Sequence, residues 1–447
     1  MRTFKIGGVH PQDNKLYSAH QPIIECPLPK QAIVPLVQHI GAPTQPVVEK
    51  GAKVKVGQLI AKAGGFVSAN VHAPVSGTVT KIEETIDAYG AKMPAIFIDV
   101  EGDEWMDGID RTPTIVRECN MEPKQIIDKI ADAGIVGLGG ACFPTHVKLM
   151  PPPGKKAEVL IVNGVECEPY LTCDHQLMLE HGEEIMIGIQ ILMRALGVKR
   201  AIIGIEQNKP DAIKRMQDLA SRALGVEVRP LKLKYPQGGE KQLIDALIGR
   251  QVPSGALPIE VGAVVDNVAT IYAVYEAVLK NKPLISRVMT VTGKDVMKAG
   301  NYLVRFGTPL QQVVEFAGGV PESTGKIICG GPMMGRAMNN LDMPAHKRTS
   351  GLLFMKEEES QHPEPENCIR CGKCVQACPM GLEPYLLSKL SAFDKVDEME
   401  KHDIMDCIDC GCCVFTCPSH RPLLDYIRPG KAKVGAAIRA RQAEQKK

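Results

Sequence analysis

Aromatic residues make up only 4% of the 447 positions, with a single tryptophan. So few rings argue against a surface that stacks nucleic-acid bases. An excess of one charge is also missing: 53 Lys+Arg face 51 Asp+Glu, a formal net charge of +2. That balance speaks against a chain built to coat a polyanion, and no nucleic-acid partner is expected. No run reaches the ~20 apolar residues that a membrane-spanning helix needs. The longest candidate, Ile185 to Val198, is interrupted by Gln190 and Arg194. The opening residues Met1-Arg2-Thr3-Phe4-Lys5 lack the apolar stretch of a secretory leader. These absences predict a cytoplasmic chain that meets a membrane only through partners or a surface patch.

Cysteine, in contrast, is plentiful and clustered. Of 15 cysteines, nine fall between Cys368 and Cys417. In a reducing compartment such clustering points to metal binding rather than disulfides. Cys368-x-x-Cys371-x-x-Cys374-x-x-x-Cys378-Pro379 repeats as Cys407-x-x-Cys410-x-x-Cys413-x-x-x-Cys417-Pro418, an internal duplication offset by 39 residues. Three thiolates spaced by three residues on a tight loop can converge on one face of an iron–sulfur cube. The fourth opens a helix that leads away, so it reaches the other cube, as in bacterial two-cluster ferredoxins. Cys368, Cys371, Cys374 and Cys417 are therefore expected to hold one 4Fe–4S cluster, and Cys378, Cys407, Cys410 and Cys413 the other. Cys412 is out of phase and is read as a non-ligand. Zinc is the alternative for any Cys-x-x-Cys pair, but two four-cysteine runs that each end in Cys-Pro favour iron–sulfur. This pattern implies one-electron transfer and leaves the donor open.

The remaining chain, 44% hydrophobic and 23% charged, is long enough for two to four globular domains. Residues 40–100 read as β-rich. The stretch Val71-His72-Ala73-Pro74-Val75-Ser76-Gly77-Thr78-Val79 resembles the lipoyl/biotinyl barrel-sandwich family, but its attachment position falls near Phe66, where no lysine stands. A structural or docking role follows. From 120 to 280, helical and strand patterns alternate: a helix from Pro123 to Ala133, a strand ending at Asn163, one long helix from His175 to Leu196, a strand Arg200–Ile205, a helix Asp211–Leu224 and a strand Val226–Lys234. Such alternation predicts a largely parallel sheet. Short strands at Arg287–Gly293 and Lys326–Gly330 flank a helix at Thr308–Ala317, a small α+β module. The acidic, proline-broken stretch up to Glu366 reads as a linker. Arg428 to Lys447 carries seven basic residues against one Glu, a solvated helical end or a contact for an anionic surface.

Two loops in the α/β region carry candidate chemistry. Gly134-Ile135-Val136-Gly137-Leu138-Gly139-Gly140-Ala141-Cys142 follows a helix, not a strand, so it is not the dinucleotide fingerprint. Free backbone amides with Lys148 nearby still suit a phosphate, with a plain tight turn as the alternative. Asn163-Gly164-Val165-Glu166-Cys167-Glu168-Pro169-Tyr170 lies just past the carboxyl end of a strand, where open α/β sheets bind ligands.

Together these pieces resemble the C-subunit family of Rnf ion-translocating electron-transport complexes, over nearly the whole chain. The middle is also similar to the flavin- and NADH-binding subunit of respiratory complex I. Gly137-Leu138-Gly139-Gly140-Ala141-Cys142-Phe143-Pro144-Thr145 parallels its glycine loop, with Cys142 and His146 in place of glycines. The resemblance implies a multidomain α/β protein: a barrel-sandwich β domain (1–110), a Rossmann-like α/β flavin/NADH domain (111–283), a small β-grasp module (284–345), an acidic linker (346–366), a ferredoxin-like two-cluster α module (367–427) and a basic tail (428–447). It implies non-covalent FMN, two 4Fe–4S clusters and NAD(H) as substrate. Gly137, Gly139, Gly140 and Lys148 would hold phosphate. Asn163, Glu166, Tyr235, Glu240, Asp266, Asn267 and Thr270 would line the flavin, and Glu168 would act catalytically by seating nicotinamide. NADH would deliver electrons through FMN and both clusters to the membrane and iron–sulfur subunits of the complex, with ferredoxin an indirect partner and the chain peripheral on the cytoplasmic face. A corrinoid reductase of similar domain order and a non-catalytic iron–sulfur relay remain as alternatives.

Overall fold

A computed structural model describes residues 1–87 and 90–445. At its centre lie four parallel strands, Val159–Asn163, Ala201–Glu206, Val226–Leu231 and Ala263–Asn267, in the spatial order third, second, first, fourth. The apolar run Ala201-Ile202-Ile203-Gly204-Ile205 is buried throughout, as a strand covered on both faces must be. One face packs on helices Gly182–Leu196 and Val268–Leu279 through Ile185, Ile189 and Ile271. The other packs on helix Glu240–Ile248 through Leu243, Ile244 and Leu247. The strand order reverses between Val159–Asn163 and Ala263–Asn267, so a crevice opens at their carboxyl ends.

The single helix expected from His175 to Leu196 is two: Cys173–Glu180 and Gly182–Leu196. His181, at φ −115° and ψ 28°, breaks the ladder. The first piece turns toward strand Ser286–Gly293, while the second lies along Val268–Leu279. Gly182, which opens the second piece, leaves room for Leu219, since a Cβ there would stand 2.9 Å from Leu219 Cδ1.

The β-rich domain has a four-stranded antiparallel sheet (Gln31–Pro35, Lys92–Val100, Gly77–Ile86, Lys53–Val54) and a three-stranded one (Gln45–Pro46, Leu59–Lys62, Val71–His72). They enclose Val34, Ile60, Val75, Ile96 and Ile98. Phe66 is exposed, and its carbonyl meets His146 Nε2 at 3.3 Å, so the former attachment tip rests beside the glycine loop.

The next module is a six-stranded mixed sheet with helix Leu310–Phe316. It borrows two strands from outside its expected limits. Ile24–Glu25 pairs with Gly300–Arg305, and Gly351–Lys356 lies between Ser286–Gly293 and Thr324–Cys329. The stretch 351–356, placed in the linker by the acidic residues that follow it, is an inner strand because Leu352, Leu353 and Phe354 bury into the module. The linker therefore starts later.

Helices Pro384–Ala392, Val396–Lys401 and Leu423–Glu444 close the cysteine module around Leu387, Met399, Ile427 and Val434. Residues expected as a solvated tail from 428 onward continue the last helix, whose Gly430, Val434 and Gly435 are buried. A Cβ at Gly430 would come within 2.6 Å of Ser391 Oγ, so helix contact is close there. Lys446 and Lys447, the end of the expected tail, lie outside the described residues. Among the described residues no helix is long and apolar enough to cross a membrane.

Candidate redox site

Asn163 and Asn267 end two neighbouring strands and face each other in register. Asn267 caps the helix that follows: its Oδ1 accepts from the Ala269 amide at 2.9 Å. Its Nδ2 donates to Asp174 Oδ2 at 2.6 Å. Asn163 Nδ2 donates to the Gly238 carbonyl at 2.9 Å, tying the sheet edge to the loop before helix Glu240–Ile248. Both side chains therefore knit the crevice walls.

The glycine loop lies over this edge. The Leu138 amide donates to Thr270 Oγ1 at 2.8 Å, and Gly137 N donates to the Phe143 carbonyl at 2.9 Å. At Gly139 a Cβ would meet Asn267 Cβ at 2.9 Å, so contact is too close for a larger residue. Among the described residues nothing lies within 4 Å of the corresponding position at Gly140. Arg287, buried in the next module, donates to the Leu138 carbonyl at 3.1 Å.

Lys148 does not reach toward the glycine loop. Its Nζ donates to the Val265 carbonyl at 2.7 Å and to Glu240 at 3.3 Å, with Asp266 Oδ1 at 3.9 Å. Asp266 is enclosed, and neither carboxylate oxygen has a hydrogen-bond partner among the described residues. Burial pushes its pKa up to about 6. A buried carboxylate without donors calls for hydroxyl or N–H groups from elsewhere. The ribityl hydroxyls and ring edge of a flavin supply such groups, so this donor set fits FMN.

The acidic loop divides its residues between two tasks. Glu166 accepts from the Asp174 amide at 2.7 Å and the His175 amide at 3.2 Å, which caps helix Cys173–Glu180. Asp174 beside it is driven up to about 7 by burial and then by the Glu166 charge. Glu168 turns the other way. It accepts from the amides of Met333 (3.1 Å) and Met334 (2.8 Å), and Tyr235 Oη lies 3.5 Å from it. Burial raises its pKa to about 7. Tyr235, expected against a flavin, is 2% exposed and donates to the Cys410 carbonyl at 2.9 Å. It joins the α/β domain to the cysteine module.

Cys378, Cys407, Cys410, Cys412 and Cys413 line one cavity with Pro379, Leu382 and Leu424. Cys407, Cys410 and Cys413 are the spaced thiols of the second cysteine run, Cys412 lies between them out of phase, and Cys378 comes from the first run. Burial raises the Cys413 thiol, and Cys410, Cys407 and Cys378 add to the effect; Cys407 is pushed up to about 12 chiefly by burial. Crowded thiols that oppose each other's ionisation suit a positively charged iron core, which favours the thiolates. Burial, and more weakly Cys417, raises Cys374. Cys368 and Cys371 are exposed. Cys412 is buried, and its Sγ lies 3.9 Å from the Tyr235 carbonyl.

Four family descriptions match in order: the RnfC barrel sandwich hybrid domain over residues 3–103, the Nuo51 FMN-binding domain over 130–276, the SLBB domain over 288–337 and the 4Fe-4S dicluster domain over 362–418. The chain is 49% identical over 439 residues to the C subunit of the proton-translocating ferredoxin:NAD(+) oxidoreductase complex of Clostridium ljungdahlii, covering 98% of this chain and 95% of that one. The chain belongs to the Rnf C-subunit family. A second member, the C subunit of the Na(+)-translocating ferredoxin:NAD(+) oxidoreductase complex of Acetobacterium woodii, is 43% identical, with 98% of each chain covered. A third, the C subunit of the ion-translocating oxidoreductase complex of Rhodobacter capsulatus, is 42% identical over 87% of this chain and 75% of that one. FMN and 4Fe–4S clusters are thus the cofactors of this member of the Rnf C-subunit family.

Sequence reasoning missed several residues that shape the site. Lys15 donates to the carbonyls of Glu168 and Leu171. Lys347 Nζ donates to the carbonyls of Asn70 (2.9 Å) and Gly134 (2.7 Å), which pins the barrel-sandwich loop to the start of the glycine loop. Neither stands in a motif. The only cue is a lysine within a short apolar or polar stretch, which many surface lysines share.

Proposed function

We propose that the chain is the peripheral, NADH-oxidising electron-input subunit of a membrane-bound ion-translocating ferredoxin:NAD+ oxidoreductase complex. The observation that carries this reading is the direct link between the α/β domain and the cysteine-lined cavity, Tyr235 Oη to the Cys410 carbonyl at 2.9 Å. Asp266, Asn163, Asn267 and Thr270, with Gly137, Gly139 and Gly140, would cradle FMN; Lys148 and Glu240 would set the charge of the floor. FMN, when bound, takes up two electrons as hydride and returns them singly, the form that iron–sulfur clusters accept. Glu166 holds the loop wall by capping its helix. Glu168, near neutrality and walled by Met333 and Met334, would border the nicotinamide side.

Cys378, Cys407, Cys410 and Cys413 would hold the inner cluster, next to the α/β domain. Cys368, Cys371, Cys374 and Cys417 would hold the outer one, where exposure lets a partner approach. Membrane and iron–sulfur subunits of the complex are the proposed partners, with ferredoxin reached through them. Anaerobic purification, flavin extraction and an NADH–ferricyanide assay test the proposal. FMN near one per chain with NADH turnover is expected; absence of both would leave a relay.

A further inference from the structure

The first 18 residues lie outside the two sheets of the barrel sandwich. They run as a strap across the α/β domain. Val9 and Tyr235 exchange backbone hydrogen bonds at 2.8 Å, the Gly8 amide donates to the Ala377 carbonyl at 2.9 Å, and the Tyr170 amide donates to the Asp13 carbonyl at 2.7 Å. The strap then buries a lysine under the acidic loop. Lys15 is 6% exposed. Its ammonium donates to the Glu168 carbonyl at 3.0 Å and the Leu171 carbonyl at 2.5 Å, and lies 3.9 Å from Glu166 Oε2. Ser18 Oγ completes the grip, donating to the Tyr170 carbonyl at 3.2 Å and meeting Thr172 Oγ1 at 2.8 Å.

A buried ammonium is costly unless its protons are taken up. Here the loop that carries Glu166 and Glu168 supplies the acceptors. The lysine can be satisfied only while residues 166–171 keep their present course. The dependence also runs the other way: without the cation, two carbonyls lose donors and the buried Glu166 charge loses its nearest lysine. Glu166 in turn caps the helix that carries Asp174, the partner of Asn267 at the crevice. The chain of contacts thus runs from the strap to the sheet edge.

We infer that Lys15 is a positioning residue of the FMN and nicotinamide pocket: it touches neither cofactor nor substrate, and it holds the Glu166–Glu168 loop in the binding course. This inference rests on the function proposed above. It assigns the amino-terminal strap a part in cofactor binding that the α/β domain does not perform alone.

The test uses the full chain, purified anaerobically with its clusters. FMN affinity is measured by fluorescence after flavin removal, iron is counted, and NADH–ferricyanide kinetics are split into KM and kcat. Lys15→Met is expected to weaken FMN binding about tenfold, the scale of a lost charged hydrogen bond, and to raise KM more than it lowers kcat. Iron content should hold. Lys15→Arg, which keeps the cation, should regain most of the affinity. Wild-type FMN affinity and KM in Lys15→Met would overturn the inference, as would an equal loss in Lys15→Arg. Should Lys15→Met not accumulate, Ser18→Ala cuts the same strap more gently. It should show a smaller loss in the same direction, and unchanged values there overturn the inference. A wild-type chain that binds no FMN at all is a different result: it defeats the proposed function itself.

Discussion

The hydroxyl of Tyr235 donates to the Cys410 carbonyl across 2.9 Å, and the Tyr235 backbone pairs with Val9 on its other side. One residue therefore meets the acidic loop, the cysteine module and the amino-terminal strap. Tyr235→Phe keeps the ring in its buried slot and removes only the donor. A hydrogen bond of this type contributes ~1 kcal/mol, so the junction should loosen without coming apart. Flavin and iron contents are expected to stay at wild-type values, while NADH-driven bleaching of the clusters slows about two- to tenfold. Stopped-flow absorbance reads this directly; an unchanged rate would remove Tyr235 from the electron path.

Asp266 presents a conflict between stability and binding. Its carboxylate is enclosed, without hydrogen-bond donors among the described residues, and burial, opposed by Lys148 and aided by Glu240, lifts it to about 6. Near pH 7.5 the folded apo chain must hold a charge that burial opposes. Asp266→Asn removes that charge and should raise the apo melting temperature modestly, on the order of 1 kcal/mol of stability. The same change takes away a strong acceptor, so FMN affinity should fall about tenfold. The two effects have opposite signs, which general misfolding cannot produce. Calorimetry on flavin-free protein and a fluorescence titration measure them; tighter FMN binding in the variant would show that Asp266 faces no cofactor.

His72 sets an acid limit on the barrel sandwich. It is 9% exposed, its Nδ1 has no partner among the described residues, and burial, helped slightly by the Lys347 charge, lowers its pKa to about 3. The unfolded imidazole takes its proton near pH 6.5, well before the folded one. Protons therefore favour the unfolded state throughout the interval between those values. Stability from this group is complete above pH 6.5 and is lost as pH falls toward 3. The slope is at most ~1.4 kcal/mol per pH unit. His72→Gln cannot titrate there. Between pH 7.5 and 5.5 the wild-type chain should lose about 1 kcal/mol more than the variant in thermal or denaturant melts; parallel losses would mean that His72 stays solvated.

How far the sequence reached depended on the range of the interactions. The cysteine runs were legible because their ligand spacing is local. Asn163 was legible because a strand of a parallel sheet announces its carboxyl end by a change from apolar to polar residues. Asp266 and Asn267 came only through the resemblance to the complex I subunit, since their strand Ala263–Asn267 was not read from its short apolar run. Glu166 and Glu168 were found as a pair, yet their separate tasks were not visible: one caps a helix seven residues on, and the other meets amides at Met333 and Met334. Strand Gly351–Lys356 was hidden by the acidic residues after it, although its apolar run carried the signal. Lys15 could not have been found. Its acceptors lie more than 150 positions away, and nothing in Asn14-Lys15-Leu16 marks a buried cation.

The crossed ligand sets make the sharpest prediction. Cys378 belongs to the first cysteine run by sequence, but it lines a cavity with Cys407, Cys410 and Cys413 of the second. Cys417 belongs to the second run and sits beside Cys374 of the first. If ligands followed the runs, Cys378→Ser would damage the cluster of Cys368, Cys371 and Cys374. With crossing, it should damage the inner cluster and leave the outer one. Removing one thiolate of four should cost about half of the ~8 irons per chain. The surviving paramagnetic signal in Cys378→Ser should match the one lost in Cys417→Ser. Double variants distinguish the schemes further: Cys378→Ser with Cys407→Ser should lose no more iron than either alone, because both changes strike one site. Cys378→Ser with Cys374→Ser should lose nearly all of it. The reverse pattern in iron counts and electron paramagnetic resonance would uncross the ligands and leave the enclosed cavity around Cys378 without its assigned occupant.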